Sequence, residues 1–127
     1  SNLLLQMDIE GAEYDILSII PKSILDRFRI ILIEFHDFNK IFNREYFEKF
    51  KNTFKNLGKS HTICHIHCNN TLPYLTFRDT VIAPVFELTY LRNDRIKSQL
   101  KIAKIPHHLD QPNSSKLPNL HTPNFWK

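Results

Sequence analysis

Glycine is nearly missing from this chain of 127 residues. Only Gly11 and Gly58 are present, where average usage would supply about nine. A phosphate-cradling loop of the G-x-G-x-x-G or P-loop kind needs several glycines close together, so none can be here. Cysteine is equally sparse: Cys64 and Cys68 are too few for a disulfide framework, which makes the reducing cytosol the default compartment. No apolar run approaches the roughly 18–20 residues that span a bilayer; the longest, Ile30–Ile33, is cut by Glu34. The opening Ser1-Asn2-Leu3 carries neither a basic n-region nor a small-residue cleavage site. The expectation is a cytoplasmic protein with no membrane span.

What is present is ordinary for one soluble globular domain: 42% hydrophobic and 24% charged residues. The net charge of +4 is concentrated in Lys40–Lys59 and Arg92–Lys104. Such stretches suit solvated helix faces or an anion-binding surface. Few aromatics interleave with the basic residues on the polar face, so no nucleic-acid partner is expected.

Leu3–Ile9 is nearly continuous apolar sequence, the pattern of a strand in a parallel sheet. Gly11 signals a turn. Ala12–Ile20 then has helical spacing at Ile16, Leu17 and Ile20, and Pro21 ends it. Ser23-Ile24-Leu25 reads as a short turn of helix. Phe28–Phe35 reads as a second strand. Asn39–Leu57 predicts a helix whose apolar stripe is Phe47, Phe50, Phe54 and Leu57, with Gly58 at the C′ position. His61–Cys68 predicts a third strand, with Ile63, His65 and His67 on one side and Cys64, Ile66 and Cys68 on the other. Val81–Leu91 predicts a fourth, with Pro84 weakening its first half. Residues 105–127 hold four of the seven prolines and read as an extended tail. The order β-α-β-α-β-β describes an α/β chain: a right-handed parallel βαβ unit followed by two strands paired antiparallel.

In open α/β sheets ligands sit at the carboxyl ends of the parallel strands. That rule selects Asp8, Glu10 and Glu13 after the first strand, and Glu34, His36 and Asp37 after the second. If the strands are neighbours, these groups converge on one cleft and can act as general bases or bind a metal. The bland alternative is that Glu10 and Glu13 favour a helix start while Glu34 pairs locally. His61, Cys64, His65, His67 and Cys68 invite a zinc reading, but strand alternation sends Cys64 and Cys68 away from His65 and His67. No metal site is assigned.

Met7-Asp8-Ile9-Glu10-Gly11-Ala12-Glu13-Tyr14-Asp15-Ile16-Leu17 resembles the D-[IV]-E-G-x-E signature of FkbM-type methyltransferases. The resemblance continues through Ile33-Glu34-Phe35-His36, His65-Ile66-His67-Cys68-Asn69-Asn70 and Phe86-Glu87-Leu88-Thr89-Tyr90-Leu91. It implies a class I, Rossmann-like, S-adenosylmethionine-dependent fold, and O-methylation of hydroxyls on sugars, glycans or secondary metabolites. It covers only the last four strands of the seven in such a fold. Residues 1–104 then form the carboxyl-terminal half of a methyltransferase domain, with strands in the parental order β4-β5-β7-β6 and an antiparallel terminal hairpin.

By the same resemblance Asp8 and His36 are the candidate catalytic groups, with Asp8 bordering the methyl donor. Glu10, Glu13, His67, Asn69 and Asn70 are candidate acceptor contacts. S-adenosylmethionine is the implied cofactor, held weakly or not at all by these residues alone. Strand Leu3–Ile9 is expected to leave an apolar edge, covered by a second copy, by the tail or by a separate amino-terminal chain. The competing readings are a non-catalytic binding or assembly module derived from a methyltransferase, and a metal-binding domain built on the His/Cys cluster.

Overall fold

Apolar runs and one amphipathic helix assemble into a mixed sheet backed by helices on one face. The computed structural model describes residues 1–97 and 105–118. Strand β1 (Leu3–Met7) leads through helices α1 (Glu13–Leu17) and α2 (Lys22–Leu25) to strand β2 (Phe28–Phe35). A 3-10 turn at Phe38–Phe42 precedes helix α3 (Arg44–Gly58). Strand β3 (His61–Cys68), a hairpin of β4 (Leu75–Phe77) and β5 (Thr80–Ile82), and strand β6 (Phe86–Arg92) complete the chain of elements.

The main sheet runs β1-β2-β6-β3, and β4 and β5 form a separate two-stranded sheet. β1 and β2 are parallel; β6 lies antiparallel to both β2 and β3. The parallel βαβ unit and the antiparallel pairing of the last long strands agree with the sequence pattern; that the last strand lies between the second and third is the order the family resemblance implied.

Alternation decides which face is covered. Ile31, Ile33 and Phe35 of β2, Phe86, Leu88 and Tyr90 of β6, and Ile66 of β3 point to one side. There they meet Tyr14 and Leu17 of α1, Leu25 of α2, and Phe50 and Leu57 of α3. Each fully buried side chain of this size contributes roughly 1.5–3 kcal/mol of hydrophobic stabilisation. Aromatic rings tie the layers together, with Tyr14 and Phe50 edge-on at 4.4 Å and Phe38 against Phe86 at 4.9 Å.

Several boundaries differ from the sequence expectation, each for a physical reason. The helix expected over 39–57 begins at Arg44, because extended Asn43 caps it: its side chain accepts from the amides of Glu45 and Tyr46. Gly58 is the last helical residue rather than a left-handed C′ cap, and Lys59 follows in a right-handed conformation. The buried face of α3 is not the all-apolar stripe: Phe47 is exposed, while Thr53 and Asn56 are buried. Thr53 Oγ1 donates to the Tyr14 carbonyl, and Asn56 Nδ2 donates to the carbonyls of Leu17 and Ile20. These bonds occupy the open carbonyl end of α1, which is shorter than the expected Ala12–Ile20. The expected strand over Val81–Leu91 splits at Pro84, which has no amide hydrogen to donate; Pro84 instead accepts from the Phe38 amide. Register shifts between Ile63 and His65, so Cys64, expected on the same side as Ile66 and Cys68, is exposed while those two are buried, and Ile63 is exposed beside it.

Residues 105–118 contain no helix or strand; Ile105 packs against the core, and the stretch from Asp110 approaches the second face of the sheet. His65 Nε2 lies 2.8 Å from Asp110 Oδ1, and His67 Nε2 donates to Asn113 Oδ1 at 3.1 Å. The expected tail boundary at 104–105 and the tail's last residues, 119–127, lie at least partly outside the described residues. Among the described residues β1 is hydrogen-bonded on one side only, and Leu3 and Leu4 on it are exposed. The described part of the tail lies at β3, on the opposite edge, and does not cover β1. Among the described residues no helix is long and apolar enough to cross a membrane.

His61 opens β3 as a buried imidazole. Its Nε2 faces the Phe28 carbonyl, which can only accept, so Nε2 carries the hydrogen and Nδ1 accepts from the Ser60 hydroxyl. Burial lowers its pKa, against a smaller opposing effect of the Phe28 carbonyl. The unfolded chain therefore binds the proton first, and this contribution to stability is present above about pH 6.5 and lost as pH falls below it. His61→Gln should flatten that part of the profile. Thermal midpoints of both chains between pH 8 and pH 5 should converge toward the acid end, and an unchanged difference would show that His61 does not titrate against folding.

Candidate functional site

The carboxyl ends of β1 and β2 lie side by side because Met7 pairs with Ile33. This register places Asp8 next to Glu34. Strand alternation sends Phe35 into the core and leaves Glu34 and His36 on the opposite side. The chain then turns at both strand ends through left-handed backbone, at Glu10 (φ 56) and Gly11 (φ 102) after β1, and at Asp37 (φ 58) after β2. Non-glycine residues in this region carry a local strain of order 1–3 kcal/mol, and such residues cluster at functional sites.

Glu13 holds the two turns together. Its side chain is fully buried, and Oε1 accepts from the amides of Ile9 and Gly11, each at 3.2 Å. The same oxygen lies 2.9 Å from His36 Nδ1. An ionised carboxylate only accepts, so Nδ1 carries a hydrogen and the imidazole is fixed with Nε2 outward. Tyr14, one residue on, donates its hydroxyl to the His36 carbonyl at 2.9 Å and fixes the backbone as well.

Around His36 Nε2 stand Glu10 Oε2 at 3.6 Å, Asp8 Oδ1 at 3.8 Å and Glu34 Oε2 at 3.9 Å. Glu34 is oriented by Asn69, whose Nδ2 donates to Glu34 Oε1 at 2.8 Å. Burial favours the neutral form of His36, but the Glu13 hydrogen bond and the charges of Glu13, Glu34 and Glu10 outweigh it and hold its pKa above the ordinary value. A raised pKa makes His36 a stronger base than free imidazole. Asp8 and Glu10 remain solvent-exposed and able to meet a ligand. A cleft of about 170 Å³ adjoins Asp8, lined among others by Gln6, Leu32, Glu34 and Glu87. That is below the roughly 300–1,000 Å³ usual for a small-molecule pocket.

Of the residues selected from the sequence, Asp8, Glu10, Glu13, His36 and Asn69 come together. Glu13 lies beneath the cleft rather than on it. His67 and Asn70 are engaged elsewhere: Asn70 Nδ2 donates to the carbonyls of Ser114 and Leu117, its Oδ1 accepts from the Ser114 amide, and His67 meets Asn113. Both therefore bind residues 105–118. Glu34 received no role from the resemblance, although its position at a strand end had singled it out. Its partner Asn69 is far away in sequence, and only the sheet order joins them. The cysteines that invited a zinc reading are placed apart from the groups around His36. Cys64 Sγ donates to the Thr89 carbonyl, and burial raises the Cys68 thiol to about 11.

Gly11 has a second reason to be glycine besides its φ. A Cβ there would stand 3.3 Å from Asp37 Oδ2. Gly11→Ala should cost at least ~1 kcal/mol, from left-handed backbone strain alone. A urea midpoint lowered at unchanged slope would show this, and an undisturbed midpoint would show that the turn relaxes freely.

Residues 3–61 match the family described as Methyltransferase FkbM domain. No curated protein and no solved structure matches the chain. The matched stretch contains β1, β2, the left-handed turns and every group around His36 except Asn69. The likeness to the FkbM methyltransferase domain thus extends over residues 3–61, a little under half of the chain.

Proposed function

We propose that these residues form the acceptor side of an S-adenosylmethionine-dependent O-methyltransferase, acting on a hydroxyl of a sugar, glycan or secondary metabolite. The observation that carries this reading is the convergence of Asp8 and His36 at the carboxyl ends of two parallel strands within the segment matched to the family. The order β1-β2-β6-β3 supports it, since a β4-β5-β7-β6 half of a class I methyltransferase sheet would have the same sequence of neighbours.

Methyl transfer joins an acceptor oxygen to a sulfonium methyl and releases the hydroxyl proton. Alignment supplies most of the rate. In this reading Asp8, half exposed at the strand end, orients the hydroxyl, and His36 takes its proton. Glu13 sets the imidazole, and Glu10 and Asn69 shape the acceptor side. The donor is bound chiefly by glycine-rich sequence that these residues do not contain. The small cleft fits that division. The exposed Cys64 thiol suits a reducing compartment such as the cytosol. The open edge of β1, with Leu3 and Leu4 exposed, is read as the seam for pairing with another polypeptide strand.

Two measurements test the reading. Calorimetry of this chain with S-adenosylmethionine should give no binding tighter than ~1 mM, equivalent to about 4 kcal/mol. A micromolar complex would contradict the division of labour. In the active enzyme Asp8→Asn should lower turnover by about 10²-fold, the cost of misaligning the acceptor, with circular dichroism unchanged. Wild-type turnover would remove Asp8 from the mechanism.

A further inference from the structure

We infer that Asp8, Glu34 and His36 form a binding site for one divalent cation of the Mn²⁺ class. One oxygen of each carboxylate and a ring nitrogen of His36 all lie within 4.8 Å of one another. The Nε2 separations of 3.8 Å to Asp8 and 3.9 Å to Glu34 are too long for hydrogen bonds. They do suit ligands sharing one ion: bonds of ~2.1–2.2 Å separate neighbouring donors by about 3–4 Å. Glu10 Oε2, 3.6 Å from Nε2 on an exposed side chain, is within reach as a further donor.

The imidazole is already arranged for this role. A ligating histidine commonly gives its other ring hydrogen to a carboxylate, which fixes the tautomer and orients the lone pair. Glu13 does this here from full burial, at 2.9 Å from Nδ1. A second observation points to missing positive charge. Glu13 Oε2 is buried with no hydrogen-bond partner, although the carboxylate touches the imidazole. Among the described residues no lysine or arginine pairs with Asp8, Glu10, Glu13 or Glu34, so His36 is the one basic group facing four carboxylates. A buried, incompletely paired charge is costly, and a cation at Nε2 offsets it. Two carboxylates and one imidazole combine hard oxygen donors with one nitrogen, which favours Mn²⁺ over a thiophilic ion.

The cation site does not rest on methyl transfer. Where that reading holds, a metal-bound Nε2 has no lone pair for the acceptor's proton, so the ion replaces His36 as the activating group: the hydroxyl binds at an open coordination position, is acidified there and releases its proton to solvent. Glu13 acts through His36 and is a positioning residue.

The test is titration of this chain with Mn²⁺, followed by electron paramagnetic resonance without donor or acceptor present. One ion should bind per chain. Asp8→Asn, at an exposed position that folding tolerates, and Glu34→Gln should each weaken binding at least about tenfold. Glu13→Gln should weaken it about 10–100-fold, as loss of an orienting carboxylate does. Asp26→Asn, in the distant pair with Lys22, should leave affinity unchanged. Absence of saturable binding by the folded wild-type chain overturns the inference, as does binding that survives the Asp8→Asn/Glu34→Gln double substitution. Binding in a chain whose full enzyme shows no methyl transfer would sink the catalytic reading and leave the cation site standing.

Discussion

One buried carboxylate organises the working end of this molecule. Glu13 accepts from two loop amides and from the His36 ring. Buried charge is tolerated only when hydrogen-bonded, so this set of partners fixes the path of residues 9–13 and the rotation of the imidazole together. The left-handed conformations of Glu10 and Gly11 follow from it, because the turn must bring two amides onto one oxygen. The acids of the D-I-E-G-A-E stretch thus divide by environment. Asp8 and Glu10 face outward to solvent, while Glu13 is the buried support beneath them.

That support depends in turn on the packing of α1. A helix of five residues has too few internal hydrogen bonds to persist alone. It is held by Tyr14 among Phe35 and Phe50, and by Thr53 and Asn56 of α3 bonding its carbonyl end. The Lys49–Asp15 ion pair at 3.0 Å adds little at the surface but sits on the same seam. Polar residues on the buried face of α3 are therefore part of the path from core to site.

The sheet is asymmetric. One face carries the core and the three described α-helices, with Ile105 packed against it, while Asp110 and Asn113 meet the other at β3. β3 and the tail consume His67 and Asn70, whereas Asn69, between them in type and position, reaches back to Glu34. Neighbours in sequence serve opposite ends of the structure because β6 lies between β2 and β3, and the chain leaves β3 at Cys68.

Much of this was legible in the chain. Apolar runs separated by a helical stripe specify the strands, their parallel and antiparallel pairing, and the acid-rich strand ends, because periodicity and connection length are local properties. The acids and His36 could be placed at one cleft from that alone. The exposed Phe47, the bulge at Cys64 and the break at Pro84 could not be placed, since each reflects what a neighbouring element needs rather than intrinsic preference. The same holds for roles within the cluster. Nothing local distinguishes Glu13 from Glu10, or Asn69 from Asn70. Sequence determined which groups stand at the strand ends; only the tertiary structure decided which are buried, and burial sets whether a carboxylate can meet a ligand or must be satisfied from within.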